Sequence, residues 1–228
     1  MKIEMHAHTW PVSPCSRISP EDLVHRYVAA GYDAVVLTNH YSEYSMPELG
    51  DTLAEKKRNY LADYKAAVSA AAGAGIRILL GAEVAIQGPY SRAEFLLYGI
   101  TEAFIVDSPN LIELSQKELY SLCEKSGVVM VQAHPYRTEF GMVPQDPAYM
   151  DGLEVNCHPA HLREEEKVTA FVRKHDLLVT AGSDFHGDRI VAGILTDTDV
   201  NTTAELAAVL RAKQYRYFFD DTVRALPI

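Results

Sequence analysis

The chain has 228 residues, 48% of them hydrophobic and 23% charged. At roughly 100–200 residues per domain this favours one large domain with ample apolar material for a core. The formal net charge of −10 excludes broad electrostatic binding to a nucleic-acid backbone, although a small anion needs only a local cationic site. Three cysteines (Cys15, Cys123, Cys157) are too few, and odd in number, for a disulfide framework, and they fit a reducing cytoplasm. No apolar run approaches the roughly 18 residues of a membrane span, and the polar start Met1-Lys2-Ile3-Glu4 leaves no room for an export signal.

The first strand candidate, Lys2–Met5, runs into His6-Ala7-His8. Ser19-Pro20-Glu21-Asp22 reads as an N-cap, a proline at the first helical position and acidic residues facing the positive helix end, opening a helix that runs to Gly31. Ala34–Leu37 is a second strand, followed by Asn39-His40. Residues 51–72 are rich in Ala, Lys, Glu and Leu without Pro or Gly and predict the longest helix, stopped by Gly73 and Gly75. Ile76–Leu80 is a third strand with Glu83 just beyond it, and Phe95–Tyr98 a fourth. A helix over Ser115–Lys125 precedes strand Val128–Val131 and His134; strand Gly152–Val155 precedes His158 and His161. A helix over Leu162–His175 then leads to strand Leu177–Thr180, Asp184 and His186. A weaker strand at Ala192–Leu195 and a helix over Thr202–Ala212 complete the series. No repeat, low-complexity tract or linker divides the chain, so residues 1–228 read as one domain, and nothing reports its oligomeric state.

Strands alternating with helices imply parallel strands joined by crossover helices, in a closed barrel or an open sheet. The polar residues favour the barrel. His6, His8, His40, Glu83, His134, Asp184 and His186 each fall just past the carboxyl end of an apolar strand, and in a barrel those ends converge on the face where active sites are built. His-x-His and Asp-x-His spacings send both side chains to one side of a strand end. Any one such pair can equally be a solvated strand end; seven at equivalent topological points argue for metal. Imidazoles mixed with carboxylates suit zinc, manganese or iron, and the absence of a C-x-x-C pair argues against a closed structural zinc site. So many ligands would oversupply a single ion, which points to two or three divalent ions with Glu83 as a bridge.

His6-Ala7-His8-Thr9, Thr38-Asn39-His40, Gly81-Ala82-Glu83, Ala133-His134-Pro135 and Gly182-Ser183-Asp184-Phe185-His186 together resemble the ordered motifs of the PHP (polymerase and histidinol phosphatase) superfamily. The resemblance implies a distorted, TIM-like (β/α)7 barrel with two or three metal ions and, in most stand-alone members, phosphoesterase activity. It also implies that His6, His8, Glu83 and Asp184 hold one ion, that Glu83 bridges to a second held by His134, and that His40 and His186 hold a third. Three positions depart from the family pattern. Asn39 stands where many members have Asp, and an amide can still orient an imidazole. A ligand that many members place shortly after the His-x-His falls near Pro14-Cys15, where Cys15 is either a thiolate ligand or a loop cysteine. The histidine some members carry between Glu83 and His134 has no counterpart, leaving water or Glu94 to complete that shell.

The chemistry expected from this set is attack on phosphorus by a hydroxide bridging two ions, with Glu83, Asp184 and His186 at the reacting centre. The substrate would be a small phosphate ester such as histidinol phosphate, a nucleotide or an oligonucleotide end. Arg17, Arg137 and Arg189 follow ligand motifs closely and can grip phosphate, or be solvated loop arginines. His158, with His161, can line the pocket or sit on a polar rim, whereas His25 and His175 read as helix-surface residues. Two rival readings are an amidohydrolase-type barrel, which also opens with His-x-His, and a metal-binding module without catalysis. The Asp-x-His close and near-complete ligand set favour the phosphoesterase.

Overall fold

A computed structural model describes residues 1–137, 141–158 and 160–220; residues 221–228 of the expected domain lie outside it. The strands are β1 (Lys2–Ala7), β2 (Ala34–Leu37), β3 (His40–Tyr41), β4 (Arg77–Gln87), β5 (Arg92–Tyr98), β6 (Val129–Gln132), β7 (Gly152–Asn156), β8 (Leu178–Gly182), β9 (Ala192–Leu195) and β10 (Arg216–Phe219). The helices are α1 (Pro20–Ala29), α2 (Leu53–Tyr60), α3 (Ala62–Ala71), α4 (Glu102–Asp107), α5 (Gln116–Lys125), α6 (Glu165–His175) and α7 (Thr203–Arg211).

One sheet runs in the order β10-β9-β1-β2-β4-β5-β6-β7-β8, and β3 pairs with β4 beside it. Past the end of β8 the chain returns to β1: Ala7 bridges Phe185 in parallel, His8 N donates to Phe185 O and Phe185 N to His6 O. That contact nearly closes the sheet on itself, giving the distorted TIM-like barrel expected. Strands β2, β6 and β7 are buried along their whole length, as strands inside a covered barrel must be.

Strand β5 departs from the all-parallel expectation, pairing antiparallel with both β4 and β6. Strand β4 does not stop at Leu80 but continues through Ala82, Val84 and Ile86 to Gln87, leaving only Gly88-Pro89-Tyr90-Ser91 before β5. Four residues suffice for a hairpin, whereas a parallel crossover needs a dozen or more. Glu83 therefore sits inside a strand rather than beyond one, level with His40 of β3. Strands β9 and β10 pair antiparallel and extend the sheet outside the barrel; β10, Arg-Tyr-Phe-Phe, is a short aromatic run of the kind strands favour.

Helix starts follow local rules. Ser19 caps α1 with Pro20 in its first turn, and Thr52, Ser115 and Thr202 each form a capping box with the glutamate three residues on. The long helix expected over 51–72 is two helices, reset at Leu61. On either side of the reset, the Tyr60 hydroxyl donates to Asn39 O at 2.6 Å and the Asp63 carboxylate accepts from Thr9 Oγ1 at 2.8 Å. Helix α6 begins at Glu165 rather than Leu162, because Glu164 takes a left-handed conformation (φ 51°) that cannot continue a right-handed turn. Among the described residues no helix is long and apolar enough to cross a membrane.

Candidate metal centre

His6 lies near the end of β1 and His8 follows it; His40 lies on β3, Glu83 on β4, Glu94 on β5, His134 after β6, and Asp184 and His186 after β8. These strand ends meet on one face, and all seven expected ligands gather there. Glu83 is at the hub. Its Oε1 lies 2.9 Å from His134 Nε2 and 3.3 Å from His6 Nε2, and its Oε2 lies 2.6 Å from His40 Nδ1 and 3.6 Å from His8 Nε2. Asp184 Oδ1 stands 3.4 Å from His6 Nε2 and 3.3 Å from His8 Nε2. Among the described residues, ligand-competent atoms within 4.8 Å of one another form four overlapping groups: His6, His8 and Glu83; His6, His134 and Asp184; His8, His40 and His186; and His40, Glu83 and Glu94.

Two buried polar atoms at the centre, His6 Nε2 and His8 Nε2, make no hydrogen bond, while Glu83 Oε2 is paired with His40 Nδ1 at 2.6 Å. A buried polar atom left unpaired costs about 1–3 kcal/mol, so two imidazole nitrogens facing the same carboxylates need a shared partner. Nitrogen and carboxylate donors in this arrangement fit a divalent ion, and the residues suit the metal that the sequence implies.

The surrounding shell aims these groups. Glu154, buried on β7, sets His6: its Oε1 pairs with His6 Nδ1 at 2.8 Å, which turns the Nε2 lone pair inward. Glu154 Oε2 accepts from His134 N at 3.1 Å and from Asn156 Nδ2 at 3.0 Å. His186 Nδ1 donates to Asp184 O at 2.8 Å, leaving Nε2 for a ligand. Glu4 ties β1 to the end of β8: Oε1 accepts from His6 N and Ser183 N, and Oε2 from Tyr27 Oη and Ser183 Oγ. Gly182 permits the close approach, since a Cβ there would strike His6 Cβ and Glu154 Oε1. Asp184 (φ 50°) and His134 (φ 29°) are both held with positive φ, a strain of about 1–3 kcal/mol of the kind that clusters at functional sites.

Without metal the centre behaves as a mesh of mutual ion pairs. Burial disfavours charge on His6, but Glu154, Glu83 and Asp184 outweigh it and hold the imidazole pKa well above its usual value. The same balance, through Glu83, raises His40. His186 is raised against its burial by Cys15 and Asp184. Burial and the neighbouring His40 and His186 instead drive His8 well below its usual value. Glu83 and Asp184 are also buried, yet the surrounding imidazoles, with Arg137 for Asp184, keep both well below the carboxylate range. Burial pushes Glu4 up to about 7 despite its donors.

The expected substrate groups are placed unequally. Arg137 reaches the centre, with Nη2 on Asp184 Oδ2 at 2.6 Å. His158 lines the rim, its ring 6.1 Å from that of His186 and its Nε2 3.6 Å from Asp188 Oδ2. The His161 ring lies beside that of His158, centroids 5.0 Å apart and planes tilted by 38°. Arg17 and Arg189 are exposed; the Arg17 backbone N donates to His186 O at 3.0 Å, and no contact of either guanidinium with the ligand cluster is seen among the described residues. Glu94 Oε2 lies 3.5 Å from His134 Nε2, in the place left without a histidine. Asn39 acts on His8 indirectly: its Oδ1 accepts from Ser13 Oγ at 2.9 Å, and Ser13 Oγ lies 3.4 Å from His8 Nδ1.

Sequence reasoning did not single out Glu4, Asp63, Glu154 or Asn156 as site residues. For Glu154 a signal existed: one carboxylate inside the apolar run Gly152-Leu153-Glu154-Val155 has no reason to be buried unless something there uses it.

A family model described as PHP domain matches residues 4–217. No curated protein matches the chain. Several solved structures share its fold. A candidate metal-dependent phosphoesterase from Bifidobacterium adolescentis is 18% identical with a TM-score of 0.58, covering 99% of this chain and 97% of that one. A two-domain protein from Bacteroides vulgatus, containing a predicted PHP-like metal-dependent phosphoesterase, is 17% identical with a TM-score of 0.68 over 96% of this chain and 64% of that one. An amidohydrolase from Chromobacterium violaceum, with bound sulfate and no metal, is 17% identical with a TM-score of 0.59, covering 97% and 99%. At these identities the likeness is one of fold.

Proposed function

Because the chain belongs to the PHP domain family, we propose that it is a metal-dependent phosphoesterase that hydrolyses a small phosphate ester at the convergent histidine and carboxylate cluster. The observation that carries the reading is the pair of buried, unpartnered imidazole nitrogens, His6 Nε2 and His8 Nε2, facing the Glu83 and Asp184 carboxylates at the hub. In the proposed assignment His6, His8, His40, Glu83, His134, Asp184 and His186 hold two or three divalent ions (Zn, Mn or Fe), with Glu83 shared between sites. Ions held there would polarise a phosphoryl oxygen and acidify a water, so no serine or cysteine nucleophile is needed.

The protein groups divide the remaining work. Glu154 and Glu4 hold His6 in place, and Arg137 and Asn156 anchor Asp184 Oδ2, so that Asp184 Oδ1 alone faces the cluster. The Arg137 guanidinium at the same point offers positive charge to an incoming phosphoryl oxygen. Burial lowers the pKa of His158, leaving a neutral imidazole on the rim to orient the leaving group. Arg17 and Arg189, exposed on the loops beside His186, would meet substrate farther out. The net charge of −10 supports a small substrate over duplex nucleic acid. Three free cysteines support a reducing compartment, the cytoplasm.

Phosphate release should be measured across a panel of sugar, amino-alcohol and nucleotide phosphates with added Mn²⁺ or Zn²⁺. Turnover of at least one phosphoester, lost in Glu83→Gln, is expected. Turnover confined to amide or amidine substrates would overturn the assignment in favour of an amidohydrolase.

A further inference from the structure

We propose that Ser13 is a positioning residue of the metal centre: directed by Asn39 and Asp63, its hydroxyl holds the His8 ring proton on Nδ1 and keeps Nε2 bare as a ligand atom. The inference rests on the metal-centre reading above. His8, Thr9, Ser13, Asn39 and Asp63 are all buried, so the polar hydrogens among them must find acceptors within the protein.

The direction of each bond follows from groups that can act in one way only. Val12 N–H can only donate, and it meets Asp63 Oδ2 at 3.2 Å; that oxygen therefore accepts, and the Thr9 hydroxyl gives it its single proton at 2.8 Å. Thr9 Oγ1 must then accept from Asn39 Nδ2, 2.9 Å away, so the amide oxygen points the other way. Thr9 N–H fixes the same orientation independently, donating to Asn39 Oδ1 at 2.7 Å. Ser13 Oγ, 2.9 Å from that oxygen, has to donate to it, and it accepts from His40 N at 2.9 Å. With its one proton committed, the hydroxyl meets His8 Nδ1 at 3.4 Å as an acceptor, which places the imidazole proton on Nδ1. His8 Nε2, which makes no hydrogen bond, is left as a bare lone pair 3.3 Å from Asp184 Oδ1 and 3.6 Å from Glu83 Oε2, a contact that a cation would relieve. An amide suits position 39 for this purpose. It accepts from Ser13 on one side and donates toward Thr9 and Asp63 on the other, whereas a carboxylate, which many PHP members carry there, can only accept.

The full-length, metal-free protein with ¹⁵N-labelled histidines should be studied by NMR at about pH 8, above the usual imidazole range, as wild type, Ser13→Ala, Ser13→Thr and Asn39→Ala. The His8 signals are identified by their loss in His8→Gln. Wild type and Ser13→Thr, which keeps the hydroxyl, should carry the His8 proton on Nδ1. Ser13→Ala removes the acceptor, and Asn39→Ala frees the Ser13 proton to turn toward Nδ1. In both variants the His8 proton should shift to Nε2, and zinc affinity should fall about 10–100-fold. Purely structural damage would weaken zinc binding without moving the proton from Nδ1. That result would overturn the proposal, as would a wild-type proton on Nε2 or a Ser13→Ala protein that binds zinc within about twofold of wild type. Failure of wild type to bind zinc at all would overturn the metal-centre reading, and the proposal with it.

Discussion

Glu154→Gln isolates what the shell around the centre contributes. The carboxylate is fully buried and accepts on both oxygens, from His6 Nδ1 at 2.8 Å on one side and from His134 N at 3.1 Å and Asn156 Nδ2 at 3.0 Å on the other. Glutamine has the same shape but only one acceptor oxygen. If that oxygen faces His6, the amide NH₂ meets two donors and a buried N–H goes unsatisfied, at about 1–3 kcal/mol. If it faces the other way, the NH₂ donates to His6 Nδ1 and moves the ring proton to Nε2, the atom needed for metal. Either outcome is destabilising. For a chain of this size each kcal/mol lowers Tm by about 2–4 °C, so the metal-free variant should melt roughly 2–12 °C below wild type. Zinc affinity, measured by competition with a chromophoric chelator, should fall about 10–100-fold, equivalent to about 1.4–2.7 kcal/mol. A folded Glu154→Gln protein binding zinc within about twofold of wild type would refute the claim that this carboxylate orients His6.

Protons and metal compete for the same centre. Without metal, His6, His40 and His186 have pKa values raised by their carboxylate and thiol neighbours, so their stabilisation is complete below about 6.5 and lost as pH rises through the raised values. Glu83 and Asp184, with depressed pKa values, stabilise above the usual carboxylate range and lose this as pH falls through those lower values. His8, held neutral, takes stability away below about 6.5 and partly offsets its neighbours. The metal-free protein should therefore be most stable in mildly acidic solution and the zinc-loaded protein should gain most above neutrality; denaturant melts from pH 5 to 9 that run parallel for both forms would contradict this. Asn39→Asp would set a second carboxylate where Asn39 Nδ2 now lies 3.5 Å from Asp63 Oδ2, costing about 1–3 kcal/mol at pH 7. Adding Asp63→Asn should restore most of that loss, and purely additive effects in a double-mutant cycle would speak against direct contact. Gly182→Ala should cost about 1–3 kcal/mol by overpacking and weaken zinc binding, because the new Cβ displaces His6; unchanged melting and zinc titration would show that β8 can move aside.

Much of this protein is written locally. The capping residue Ser19 announced a helix start, apolar runs announced most strands, and His6, His8, His40, His134, Asp184 and His186 declared themselves by falling at strand ends. What stayed hidden depends on partners far along the chain. The reversal of β5 turned on whether β4 continued past Leu80, a matter of pairing with β2, β3 and β5 rather than of propensity. The reset at Leu61 accompanies hydrogen bonds from Tyr60 to Asn39 and from Thr9 to Asp63. Glu154 reads as an oddity in a strand until closure of the barrel brings it to His6, 148 positions away. The sequence by itself determined which side chains could serve a metal, because ligand type is a property of each side chain. The tertiary structure alone decided which nitrogen faces inward and which carboxylate holds it there, because these follow from distances that only the closed sheet sets.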